Sequence, residues 1–115
     1  KVTGLGGLSK LIFLDLYNNC IEQLGTGLAC VPSLRVLMLG KNRIRHITNL
    51  EKLRNLDVLD LHSNEISTIE GLEALAELRV LNLAGNRIEA VENVCGLQSL
   101  TEINLRRNRI RSVSE

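Results

Sequence analysis

The feature that most constrains this chain is an apolar pattern, Leu-x-x-Leu-x-Leu, that returns at a nearly fixed period of 22 residues. Copies begin at Leu11, Leu34, Leu56, Leu78 and Leu100, and Ile103 takes the second apolar place of the last copy. The first step is 23 residues long, because the segment Gly25-Thr26-Gly27 carries one extra residue. Five copies of one pattern indicate a repeat protein, in which each unit completes its core by packing against its neighbours.

Each copy predicts a short strand followed by a turn. The last two apolar residues of the pattern stand two positions apart, which is the period of a strand that buries one face. An asparagine follows the strand in every copy, at Asn19, Asn42, Asn64, Asn86 and Asn108. Because asparagine favours turns and bonds to nearby backbone, we expect the stacked amides to form a ladder. This ladder would satisfy the N–H and C=O groups that the turns otherwise bury.

Beyond the asparagine the apolar residues are spaced by three, as at Ile44, Ile47, Leu50 and Leu53. This spacing is typical of a helical or 3₁₀ segment and does not suit a strand. Residues 70–77, rich in alanine and glutamate, are the strongest candidate for an outer helix. The chain is therefore predicted to be an α/β solenoid. We expect a parallel β-sheet on its concave face and short helical or 3₁₀ returns on its convex face.

The pattern divides a single domain, residues 1–115, into successive repeats. They are a partial repeat at 1–10, repeats at 11–33, 34–55, 56–77 and 78–99, and a truncated repeat at 100–115. Neither end supplies the polar cap that a solenoid needs. We therefore expect a segment of a longer protein, or ends that are covered by another chain or that associate end to end.

The repeated residues resemble the leucine-rich repeat family, in particular its intracellular 22-residue subclass. The best-known member of that subclass is a regulatory subunit of protein phosphatase-1. Residues 13–19, 39–44, 56–62 and 78–84 are also similar to leucine-rich repeat subunits of tubulin polyglutamylase complexes. The resemblance implies a non-catalytic scaffold for protein–protein interaction in a cytoskeletal, microtubule or ciliary assembly. The alternative that it implies is a regulatory subunit that binds a phosphatase catalytic subunit.

Cysteine usage and charge bear on compartment and partners. The three cysteines form no Cys-x-x-Cys pair, and no Asn-x-Ser/Thr acceptor site is present. Both observations favour a reducing, cytoplasmic environment. Cys30 and Cys95 lie in the returns, where we expect them to pack as small apolar groups, whereas Cys20 is expected to be more exposed. The net charge of +1 gives no overall field that would favour nucleic acid or a membrane.

The outward places of each strand and its turn form the candidate protein-binding face. The candidate residues are Phe13, Asp15, Tyr17, Val36, Met38, Asp60, His62, Asn82, Asn104, Arg106 and Arg107. Phe13 and Tyr17 are the only aromatic residues, and strand parity places them on the same side. Rigid aromatic side chains are frequent anchors in protein interfaces, but these two would also suit packing against a preceding repeat.

Two further features of this face have alternative interpretations. Val36, Val58 and Val80 either line the groove for a partner or pack against one another across adjacent strands. Four arginines crowd the last repeat, namely Arg106, Arg107, Arg109 and Arg111. They suit an acidic partner segment, because guanidinium groups bind carboxylates, or they form a solvated edge that serves solubility.

The sequence predicts no catalytic, cofactor or metal site. His62 shares a face with Asp60, which invites comparison with a catalytic triad, but Ser63 is turned away by strand alternation. His46 stands alone, and Cys95 falls on a different surface from His62 and Asp60, so no metal ligand set is expected. Gly4, Gly6 and Gly7 are not followed by the Lys-Ser/Thr of a phosphate-binding loop.

Overall fold

The computed structural model describes residues 2–6, 8 and 10–113. The outermost parts of the predicted partial and truncated repeats, Lys1 and Ser114–Glu115, lie outside the described residues, as do Gly7 and Ser9. The strands are β1 (Phe13–Asp15), β2 (Val36–Met38), β3 (Val58–Asp60), β4 (Val80–Asn82), β5 (Ala90–Val91), β6 (Glu102–Asn104) and β7 (Ser112–Val113). A single 3₁₀ helix among the described residues, η1, spans Gly27–Cys30. None of the helical structure described is long and apolar enough to cross a membrane.

The main sheet is parallel and contains one strand from each repeat, in the order β1-β2-β3-β4-β6. Equivalent residues of successive repeats are paired without offset, so Val36 pairs with Val58 and Val58 with Val80. We call each strand with its turn and return a rung, numbered 1 to 5 from residues 11, 34, 56, 78 and 100. The structure confirms the predicted parallel-sheet solenoid.

The core is a column of aliphatic side chains that the rungs stack between the sheet and the returns. The central residue of each middle strand, Leu37, Leu59 or Leu81, is completely buried. The return residues that are spaced by three, such as Leu72 and Leu75, are also buried. A single rung has no second layer of its own, so these side chains leave water only because the neighbouring rungs cover them.

The asparagines bond across rungs in the way that the ladder prediction describes. The Nδ2 group of Asn64 donates to the carbonyl oxygens of Leu39 and Leu61, at 3.0 Å each, and its Oδ1 accepts the N–H of Ile44 at 3.0 Å. Asn42 and Asn86 are buried with equivalent bonds. Asn19 differs, because it is exposed and its side chain donates only to the carbonyl of Tyr17.

The prediction of an outer helix at residues 70–77 is wrong. This return consists of consecutive turns, in which Leu75 N donates to Leu72 O at 3.0 Å and Leu78 N to Leu75 O at 3.1 Å. In an α-helix each step of three residues rotates the side chain by about 300°, so three leucines at that spacing drift about 120° apart. Turns that repeat every three residues keep all three leucines directed inward, and core packing therefore prevails over helix propensity.

Two other features differ from the sequence-based expectation. Cys30 and Cys95 are exposed and do not pack as apolar groups, because Leu28, Val31 and Leu97 take the neighbouring inward positions. Cys20 is exposed as expected. In addition, β5 and β7 form a second, two-stranded parallel sheet within segments where only returns were predicted.

Candidate protein-binding face

The outward side chains of the five-stranded sheet and of the turns that follow it form the candidate site. At the rung 1 end, Phe13 is 55% exposed and Tyr17 is 44% exposed. Val36, Val58 and Val80 lie side by side in register and are half-buried, as are Met38, Asn82 and Asn104. At the rung 5 end, Arg106 and Arg107 are exposed. The face therefore has an aromatic end, an aliphatic middle and a cationic end.

Tyr17 is held in place by contacts that reach two rungs along the sheet. Its ring centroid lies 5.9 Å from that of the His62 imidazole, with an angle of 33° between the ring planes. The rung between them carries Gly40, where a Cβ atom would overlap the imidazole ring. Glycine at this place therefore leaves the space that His62 occupies. Tyr17 consequently packs toward the following rungs, which accounts for its position without a preceding repeat.

His62 is fixed from its other side by Asp60. The Nδ1 atom of His62 lies 2.7 Å from Asp60 Oδ1, and the same oxygen accepts the backbone N–H of His62 at 2.9 Å. An ionised carboxylate only accepts hydrogen bonds, so His62 Nδ1 is the donor in this pair. Asp60 is buried and His62 is half-buried. The pair thus fixes the orientation of the imidazole ring that lies beside Tyr17.

A cation already lies against the Tyr17 ring. The Nζ atom of Lys41 stands 5.7 Å from the ring centroid, within the distance at which ammonium groups are attracted to aromatic faces. Lys41 has a φ of +54°, and its equivalents Asn18, Ser63, Gly85 and Arg107 also have positive φ. The turn therefore directs the eighth residue of every rung in the same way, and in rung 2 this brings a lysine to the aromatic end.

The fifth residue of most rungs has a structural role in addition to its outward position. The side-chain oxygens of Asp15, Asp60, Asn82 and Asn104 each accept the backbone N–H two residues later, at 2.9 to 3.1 Å. This second ladder closes the turn at the end of each strand, and only Met38 cannot take part in it. The signal was present in the sequence, because Asp and Asn commonly bond to backbone two residues on.

Ser63, which follows His62 in sequence, is directed toward the next rung. Ser63 Oγ lies beside Gly85 of the next rung, where a Cβ atom would stand 3.1 Å from it. His46 is exposed and faces Glu70, with Nδ1 and Oε2 3.2 Å apart. Within the described ranges, no group of three or more His, Cys, Asp or Glu side chains is placed to hold a metal ion. The face presents aromatic, aliphatic and charged side chains, a combination that is common in surfaces that bind proteins.

Two family models match the chain. A model described as leucine rich repeat matches residues 32–88, and a model of two leucine-rich repeat copies matches residues 76–115, so that together they span 32–115. No curated protein matches the chain significantly.

Solved structures with the same architecture include three bacterial proteins. An internalin C2 of Listeria monocytogenes is 31% identical with a TM-score of 0.84, and the match covers 96% of this chain and 47% of that one. Another Listeria internalin, inlF, is 29% identical with a TM-score of 0.78, and the match covers 94% and 36% of the two chains. A leucine-rich repeat protein of Leptospira interrogans is 25% identical with a TM-score of 0.86, covering 93% and 28%.

The chain thus spans less than half the length of each of these proteins. The five-rung stack, the asparagine bonds between rungs and the two matching models lead to one conclusion about family. This chain belongs to the leucine-rich repeat family.

Proposed function

We propose that this chain is a non-catalytic scaffold that binds another polypeptide on its concave sheet face, with Phe13 and Tyr17 as the anchor. The observation that carries the proposal is the half-exposed Tyr17 ring held against His62 across Gly40. Large aromatic side chains contribute most to binding when they bury area without losing much freedom. Because His62 and Asp60 already restrict the position of the Tyr17 ring, less conformational entropy is lost when a partner binds.

The size of the face suits a single segment of polypeptide. Four strand spacings separate rungs 1 and 5, which is about 19 Å, and the third to eighth residues of a rung extend about 17 Å. The product, about 320 Å², is well below the roughly 800 Å² per partner of a standard interface between folded proteins. An extended segment that crosses the rungs is therefore the best fit to the described face.

The cellular context that we propose is a tubulin-modifying assembly in the cytoplasm, at the cytoskeleton or the cilium. What supports it is the sequence similarity of the strand segments to leucine-rich repeat subunits of tubulin polyglutamylase complexes. The alternative is regulation of a phosphatase catalytic subunit, supported by similarity to the 22-residue subclass. We propose the same face for both contexts, so one experiment distinguishes them.

The experiment is affinity capture from a ciliated-cell extract with the wild-type chain and with the Phe13→Ala/Tyr17→Ala variant. Enrichment of tubulin-modifying enzymes supports the first context, and enrichment of a phosphatase catalytic subunit supports the alternative. Either capture should be lost in the double variant. Val113→Ala is the control, because Val113 is 70% exposed and lies in β7, outside the five-stranded sheet. Equal capture by the wild type and the double variant would show that this face is not the binding site.

A further inference from the structure

The end of the sheet face opposite Tyr17 carries a cluster of arginines that neither the fold nor the aromatic anchor requires. The arginine cluster consists of Arg87, Arg106, Arg107, Arg109 and Arg111, which follow β4 and β6, and all five side chains are exposed. They lie in the turns that follow β4 and β6 and in the residues directly after those turns. Rung 2 has Lys41, Arg43 and Arg45 at the places of Arg107, Arg109 and Arg111. Its place equivalent to Arg106 is Gly40, and Arg45 is paired with Glu65, so the basic residues are fewer there and partly neutralised.

The backbone brings these arginines close together. Arg109 N donates to Ile88 O at 2.9 Å, and Gly85 N donates to Arg106 O at 2.8 Å. Arg109 therefore lies one strand spacing, about 4.8 Å, from the backbone of Arg87. Beside Arg106 and Arg107, the preceding rung presents only the small residues Ala84 and Gly85, which leaves room for a ligand chain between the guanidinium groups.

The charge of the cluster is not neutralised by the described residues. Its members form no ion pair within 4 Å with any of them, the pairs found being Arg45–Glu65, His46–Glu70, His62–Asp60 and Arg79–Asp57. Glu65, one rung before Arg87, is bonded to Arg45, with Arg45 Nε and Glu65 Oε1 3.1 Å apart. Arg87 and Arg109 are like charges one strand spacing apart, whereas Arg111 lies beside Glu89, with Arg111 N donating to Glu89 O at 2.8 Å. Like charges that face each other on neighbouring strands repel, so an anion bound beside Arg87 and Arg109 would relieve that repulsion.

We propose that the arginine cluster binds an acidic segment of the same partner polypeptide whose apolar part lies against Phe13 and Tyr17. This inference rests on the proposed function. Guanidinium groups match carboxylates in planar, paired hydrogen bonds, and a run of Asp or Glu residues supplies several carboxylates at short spacing. Four strand spacings, about 19 Å, separate the two ends, so an extended partner needs about six residues between its apolar and acidic parts.

A peptide explains the cluster better than a nucleic acid does. Proteins that bind single strands combine cations with aromatic side chains on which bases stack. Here the only two aromatic residues of the chain, Phe13 and Tyr17, lie in rung 1, at the opposite end of the sheet from the cluster. An acidic peptide can bind to guanidinium groups alone, without aromatic side chains beside them.

The test is fluorescence anisotropy with a labelled octaglutamate peptide at low ionic strength. The wild type should bind it, and added salt should weaken binding, because exposed charges are screened within about 3 Å at 1 M ionic strength. Arg106→Glu/Arg109→Glu should weaken binding at least about tenfold, since two attractions become repulsions. Lys52→Glu/Arg54→Glu makes the same change in net charge on an exposed return and should change affinity less than about threefold. Circular dichroism establishes that both variants fold.

Failure of this inference is distinguishable from failure of the proposed function. Phe13→Ala/Tyr17→Ala should bind octaglutamate like the wild type, although it loses partner capture. Absence of octaglutamate binding, or equal loss in the two charge-reversal variants, would overturn the proposal for the cluster and leave the aromatic anchor intact. Tighter, cluster-dependent binding of a single-stranded RNA of the same length would also overturn it, in favour of a nucleic-acid ligand.

Discussion

The middle rungs and the end rungs of this solenoid use the same inward residues but very different outward ones. In rungs 2 to 4 the strand leucines are completely buried and the third residue is always valine. In rung 1 the third residue is Phe13 and the seventh is Tyr17, whereas in rung 5 they are Glu102 and Arg106. The outward pattern thus departs from the valine row at the two ends, where we propose that a partner binds, and is kept in the middle, where the strand leucines are completely buried.

The reason for this division is the way in which a solenoid is stabilised. The strand of a middle rung has a neighbouring strand on each side, so its apolar groups are covered on both, whereas β1 and β6 each have one neighbour in the five-stranded sheet. Substitutions in the middle should consequently affect folding most, and substitutions at the ends should affect recognition more than folding.

The largest expected effect comes from truncating a central leucine. Leu59→Ala should lower the free energy of unfolding by about 3–4 kcal/mol, because the side chain is completely buried and leaves a cavity. Ile103→Ala, at the equivalent place in rung 5, should cost about 1 kcal/mol, since Ile103 is 37% exposed. Urea unfolding followed by circular dichroism measures both. Equal losses would refute the contrast between middle and end.

The asparagine ladder should show the same contrast with a somewhat smaller effect. Asn64→Ala should cost about 3 kcal/mol, because it removes bonds to two buried carbonyl groups and one buried N–H. Asn19→Ala should cost less than about 0.5 kcal/mol, since the side chain is exposed and makes one local bond. The same unfolding experiment applies. A costly Asn19→Ala change would mean that rung 1 is as tightly held as rung 3.

A methyl group at Gly40 should disturb the aromatic end with a modest cost in stability. In Gly40→Ala the new methyl overlaps the His62 ring, and the ring rotates away from Asp60 and Tyr17. We expect a loss of about 1 kcal/mol, the value of one hydrogen bond, together with weaker partner capture. Gly96→Ala is the matched control, because a Cβ atom there meets nothing within 4 Å. NMR of the His62 imidazole reports the change, and an unaltered spectrum would contradict the proposed packing.

The smallest expected effect concerns the ion pair between Arg79 and Asp57, outside the candidate face. The hydrogen bond from Arg79 lowers the pKa of the Asp57 carboxyl below its ordinary value of 3.8. A lowered folded-state pKa contributes stability above pH 3.8, and this contribution is lost as the pH falls through the folded-state pKa. Arg79→Gln should raise the Asp57 pKa toward 3.8 in an NMR titration and should barely change stability near pH 7, because the pair is at the surface.

The candidate face was predictable in part. Strand parity places Phe13 and Tyr17 together because it follows from backbone geometry alone. The contact between Tyr17 and His62 was not predictable, because it joins residues two rungs apart and depends on the absence of a side chain at Gly40. A local rule predicts hydrogen bonds from backbone N–H groups to the side chains of Asp15, Asp60, Asn82 and Asn104. Their outward position suggested only a role in binding.

The sequence by itself determined the number of rungs, the register of the sheet and the inward leucines, because a fixed period of 22 residues admits one way of stacking equivalent positions. Only the tertiary structure decided the course of the returns, the exposure of Cys30 and Cys95, and the pairing of β5 with β7. The repeat period specifies which residues pack against one another, because every rung buries the same positions. The path between those residues, and the contacts of outward side chains, depend on packing between particular neighbours that no repeat pattern encodes.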